Sequence, residues 1–138
     1  GTQHTLRNPL LWVLHAGYAF VPLGFALRAT AAFVPSVNNS TALHALTAGA
    51  IGTLTLGMMA RVSLGHTGRG LEAPASIGIA FSLVILGALV RVAGPLLGGT
   101  LATPALHLSG TVWALAFAIF LVRIGPYLVR SRPDGRPG

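Results

Sequence analysis

The feature that most limits what this chain can fold into is the placement of its charge. All nine basic residues are arginine, Glu72 and Asp134 are the only acids, and more than half of the 138 residues are apolar. Between the charges run four nearly uncharged stretches, residues 9–33, 41–64, 75–93 and 105–127. Each is about 19–25 residues long, and an α-helix needs ~20 mostly apolar residues to cross ~30 Å of hydrocarbon. A water-soluble domain has about a quarter of its residues charged, whereas here the share is 8%. The sequence therefore predicts an all-α fold: a polytopic membrane bundle of four transmembrane helices in one domain, with the lipid bilayer as its first partner. The polar segment 128–138 is expected to be a mobile tail.

Other classes are excluded by the same residues. A strongly basic chain is often a nucleic-acid binder, but that requires basic residues gathered on one solvated face. Here Arg28, Arg61, Arg91 and Arg123 are each embedded in an apolar run, so no nucleic-acid partner is expected. The first apolar stretch is too long for a signal peptide, and three more follow it. With no cysteine, the chain has neither a disulfide framework nor a thiolate metal site. It begins at Gly1 rather than methionine, which points to a fragment or a processed product.

If each stretch crosses once, Arg7, Arg61, Arg69, Arg123, Arg130, Arg132 and Arg136 share one side and only Arg28 and Arg91 the other. Arginine accumulates on the cytoplasmic side of membrane proteins. Both termini and the 65–74 loop are thus expected in the cytoplasm, and the 35–40 and 94–104 loops outside. Trp12, Trp113 and Tyr127 fall near helix ends, where amphipathic rings favour the interface.

Helix boundaries are marked by turn residues. The 35–40 cluster ends in Ser40 and Thr41, either of which is a suitable cap for the second helix. Gly65, Gly68 and Gly70 end that helix. Gly94-Pro95 is expected to close the third, with Gly98, Gly99 and Pro104 keeping the next loop irregular. Pro22 is expected to kink the first helix near Gly17–Tyr18 and free one carbonyl. The second helix carries small residues at fourfold spacing, Ala45, Gly49, Thr53 and Gly57, which allow close approach of a neighbouring helix.

The histidines carry the functional signal. Ionisable residues at membrane depth are costly, so they usually face the bundle interior and have a partner. His44 and His107 begin the second and fourth helices on the outer side, whereas His15 and His66 lie toward the cytoplasmic side. His44 and His66 are about 33 Å apart along one helix and cannot share a site. At 100° per residue their azimuths differ by only about 40°, so both should face the same neighbours. Two candidate pairs result: His44 with His107, and, as the runner-up, His15 with His66. Paired histidines on facing helices hold haem iron or copper in bundles. The bland alternative is that each histidine satisfies one freed carbonyl.

Arg28 and Arg91 lie on the same outer side as His44 and His107 and have no acid within reach. They either snorkel to lipid phosphates or meet an anionic ligand. Haem propionates suit the second case, because arginine binds carboxylates in a bidentate fork.

The run from His44 to Arg69, HALTAGAIGTLTLGMMARVSLGHTGR, closely resembles the signature stretch of the NnrS family. So do Leu14-His15-Ala16-Gly17-Tyr18 and the tail from Asp134 to Gly138, and the resemblance covers essentially the whole chain. It implies a multi-span protein of the bacterial inner (cytoplasmic) membrane that contains b-type haem and copper and acts in nitric oxide metabolism or tolerance of nitrosative stress. Family members have about three times as many spans. The resemblance therefore implies a C-terminal portion whose partners are the remaining transmembrane helices of a larger protein. For copper the residues offer little, since Met58 and Met59 are the only thioethers. The competing readings are a transport or channel module whose histidines and arginines line a polar path, and a structural subunit holding a partner bundle.

Overall fold

The computed structural model describes residues 8–135, and it is helical throughout apart from its turns. His4, Arg7 and Arg136 lie outside the described residues. Four helices are long and apolar enough to cross a membrane: α1 (Pro9–Thr30), α2 (Asn39–His66), α3 (Ala75–Leu97) and α4 (Ala102–Val129), the last preceded by a 3₁₀ turn at Gly99–Leu101. Among the described residues there is no strand.

Local chemistry sets the helix ends. Asn8 caps α1 by accepting from the Leu10 amide at 3.0 Å, and Pro9 follows where a missing N–H is harmless. At α2 the cap is Asn38, not Ser40 or Thr41: its side chain accepts from the Thr41 amide at 3.0 Å and the Thr41 hydroxyl at 3.2 Å. Asparagine is as good a cap as serine, and starting two residues earlier adds half a turn. The α2 C-terminus closes through Gly68 at φ 68°, with Arg69 N–H donating to Leu64 O and Gly68 N–H to Gly65 O. Two expected breaks are absorbed instead. α3 continues through Pro95 to Leu97, since one proline in a last turn frees only one carbonyl; Pro104 sits in the first turn of α4, where its N–H is not needed. α1 is one helix from Pro9 to Thr30 with Pro22 inside it.

Packing differs at the two ends of the bundle. At the end carrying His66, all four helices contribute bulky side chains to one core, including Leu10, Val13, Leu56, Leu64, Ile77, Phe81, Phe120 and Ile124. At the end carrying His44, the core consists of Phe20, Ala45, Ala50, Ala88 and Val92, with no residue from α4. The small-residue ridge is the contact with α1. Ala45, Gly49, Thr53 and Gly57 are all buried. A Cβ at Gly57 would stand 2.9 Å from Val13 Cγ1, and one at Gly49 would run into the Phe20 ring. Side chains any larger would push α1 away. Most of the apolar surface points outward: only 17% of an 18-residue apolar stretch within the Gly99–Val129 span is buried, and large side chains such as Phe25, Leu97, Leu121 and Val122 are exposed. Hydrocarbon, not water, suits such a surface.

Candidate functional site

Because α4 takes no part in the core at the His44 end, it diverges there from α2. The gap is an open cleft of about 600 Å³ floored by α3. Its walls follow from a local departure of α2 from regular geometry. Residues Ala45–Ile51 form a π-helical segment, and the Gly52 amide bonds back to Thr47 O, five residues earlier. Such widened turns disturb the regular pairing of carbonyls and are frequent at functional sites. The Ala48 carbonyl accepts from the Trp113 indole Nε1 of α4 at 3.3 Å, bridging the cleft. Gly52 makes room for this ring: a Cβ there would lie 2.9 Å from Nε1.

Trp113 stacks on Phe117, with ring centroids 4.4 Å apart and planes tilted by 35°, giving the cleft an aromatic wall. Facing it are Thr47 and Thr55 of α2, with Ser109 on α4 itself. The hydroxyl protons of Thr47 and Ser109 go to the carbonyls of Leu43 and Leu106, at 2.7 and 2.9 Å, which leaves oxygen lone pairs as acceptors. His44 and Arg91, both half-buried, supply an imidazole and a guanidinium to the same space. No Asp or Glu lines the cleft.

The remaining candidates lie elsewhere. His107 is exposed and is absent from the cleft lining; it stands beside the cleft, one turn before Gly110 and about 60° round α4 from it. Arg28 is exposed on α1, a helix that contributes nothing to the cleft. His15 is exposed and its Nδ1 is 2.9 Å from Leu11 O, the local carbonyl contact that an intramembrane histidine makes without any ligand. His66 borders a separate groove with Arg61, Leu71 and Arg132, and His15 has no part in that lining. His44 and His66 line different spaces, the first with α3 and α4 residues and the second with Leu71 and Arg132, although the π segment between them changes their azimuthal difference only from about 40° in one sense to about 60° in the other. Among the described residues, no three of His, Asp and Glu come together in a metal-binding group.

Trp113, Phe117 and the π segment were not singled out as site residues in the sequence. Trp113 read as an interfacial anchor. The pairing of a glycine at 52 with an indole 61 residues later leaves no local pattern to find.

The other end of the bundle is tied by charge. Arg132 donates through Nε and Nη2 to the two Asp134 carboxylate oxygens, at 2.9 and 2.6 Å, and through Nη1 to His66 O at 2.9 Å. The hydrogen bond to Asp134, opposed by partial desolvation and helped by the carboxylate charge, raises the Arg132 pKa above its ordinary value. The segment after α4 thus caps the C-terminus of α2.

A family model described as NnrS protein matches residues 1–132, a range that includes all four helices, the π segment and the His44 cleft. No curated protein and no solved structure matches the chain significantly. The likeness first visible in the run from His44 to Arg69 therefore extends over nearly the full length, and the chain belongs to the NnrS family.

Proposed function

We propose that this chain is the haem-binding C-terminal portion of a larger bacterial inner-membrane protein, with both termini cytoplasmic, acting in nitric oxide metabolism or tolerance of nitrosative stress. The observation that carries the reading is the cleft in which His44 and Arg91 meet a stacked aromatic wall and no carboxylate. A planar apolar ring bearing carboxylates is complementary to that donor set. His44 would supply an imidazole nitrogen to the iron, Arg91 would neutralise a propionate by a charge-assisted contact, and Trp113 and Phe117 would pack against the ring. When bound, haem supplies an iron centre with affinity for nitric oxide. The volume, about 600 Å³, lies within the ordinary range for cofactor pockets of ~300–1,000 Å³. Copper has no comparable support: His44 is the one imidazole in the cleft, without thiolate, thioether or carboxylate beside it.

The test is a visible absorption spectrum of the full-length protein purified from membranes. A Soret band with a sharp reduced α-band is expected. His44→Ala should change the iron spin state and lower haem content, Arg91→Gln should weaken retention, and His15→Ala should leave the spectrum unchanged. A flat spectrum from the parent protein would instead favour a polar transport path. Parental haem content and spectrum in His44→Ala would remove the assignment of this cleft.

A further inference from the structure

At the His66 end, three of the five arginines among the described residues are already engaged, and of the other two Arg130 is exposed and lines no groove. Arg69 places its guanidinium 4.2 Å from the Tyr127 ring centroid and donates to Thr67 O, Arg123 Nε donates to Ser76 Oγ, and Arg132 holds Asp134. Arg61 differs. It is half-buried, five residues before the end of α2, and so about 7.5 Å inside the helix end. Among the described residues it has neither a hydrogen bond nor an ion pair. Of the two acids in the chain, Asp134 pairs with Arg132, and Glu72 forms no ion pair among the described residues. A cation at that depth without a counter-charge is costly.

Arg61 lines a groove of about 370 Å³ together with His66, Arg132, Met58, Val62 and Leu71. The same Met58 and Val62 also line a second groove, about 480 Å³, which continues along the exposed flank of α2 past Leu54 and contains no charged residue. A basic groove at the end of a span thus adjoins a largely apolar groove that lies further along α2 toward mid-membrane. Free inorganic anions have no use for the apolar groove, and apolar molecules have no use for the basic one. A molecule with a phosphate at one end and a hydrocarbon chain at the other fits both.

We propose that these two grooves form one binding site for an anionic phospholipid. The phosphate lies against Arg61, Arg132 stays paired with Asp134 at the rim of the groove, His66 borders the headgroup, and one acyl chain follows Val62, Met58 and Leu54. Guanidinium groups bind phosphate oxygens in a planar fork, and basic pockets between membrane-spanning segments select anionic headgroups. Met58, unbranched and flexible, adapts to a mobile chain. The site is independent of any cofactor in the His44 cleft.

Native mass spectrometry tests this on the full-length protein in detergent with equal amounts of dioleoyl phosphatidylglycerol and dioleoyl phosphatidylcholine. The phosphatidylglycerol adduct should dominate. Arg61→Gln should lower that preference roughly fivefold, the factor corresponding to ~1 kcal/mol per basic residue, and Arg61→Lys should retain most of it. Arg130→Gln removes a charge from the same end outside the groove and should change nothing. If Arg61→Gln does not fold, Leu71→Glu replaces it: this exposed loop position lines the same groove, and a carboxylate there should lower the preference for the anionic lipid in the same direction. Equal binding of the two lipids, or equal losses in the groove variants and Arg130→Gln, would overturn the proposal. Displacement of the lipid by inorganic phosphate at matched concentration would show a free-anion site instead.

Discussion

Adding one methyl group at Gly49 tests how closely α1 and α2 must approach. A Cβ at that position would lie 2.5 Å from Phe20 Cγ and 3.0 Å from Phe20 Cβ, distances at which something has to move. The ring has little freedom to do so, because Phe20 is only 4% exposed and belongs to the core at the His44 end. Overpacking of this kind costs about 1–3 kcal/mol. Against it stands the gain in helix propensity from glycine to alanine, up to about 1 kcal/mol. Gly78→Ala isolates the clash: it lies inside α3 with no proline after it, and its Cβ meets only Pro9 Cγ at an ordinary 3.8 Å. Gly49→Ala should therefore be less stable than Gly78→Ala by about 1–3 kcal/mol. Reversible unfolding in mixed dodecyl sulfate and maltoside micelles, followed by helical circular dichroism, measures the difference. Shortening the obstructing ring should recover part of it, with a coupling of about 0.5–3 kcal/mol between Gly49→Ala and Phe20→Leu. Equal stability of the two alanine variants, or zero coupling to Phe20, would refute a ridge packed directly on that ring.

Trp113→Phe keeps the aromatic wall but removes the donor to Ala48 O, and should cost about 0.6–1.7 kcal/mol in the same titration, the range for hydrogen bonds between membrane helices. An unchanged midpoint would mean that the indole contact does not hold the cleft together. Asp134→Asn weakens the fork to Arg132 and should loosen the segment that caps α2. Trypsin should then release C-terminal peptides faster, as read by intact mass, and an unchanged cleavage rate would show that the fork does not restrain the segment. A reporter active only outside the cytoplasm should work when fused after Asn39 and fail after Gly138. Activity at Gly138 would reverse the proposed topology.

The four spans were legible in the sequence because length and the absence of charge are the whole requirement for crossing a bilayer, and both are properties of consecutive residues. The Ala45, Gly49, Thr53 and Gly57 ridge was legible for a related reason: its spacing repeats on one helix face, all four residues are buried, and Gly49 and Gly57 meet α1. Which other faces meet was a matter of tertiary structure. Spacing along the chain placed His44 and His107 at one end and His15 and His66 at the other. It did not show which neighbours each histidine meets: His44 lines the cleft with Arg91 and Trp113, and His66 a separate groove with Arg61 and Arg132. The cleft lies where α4 is absent from the core around Phe20, and which helices share a core depends on contacts between segments far apart in the chain, which no local pattern encodes. The proline breaks at 95 and 104 misled for the opposite reason. Proline is a local signal, but its cost depends on whether its N–H and the facing carbonyl are needed, and at helix ends they are not.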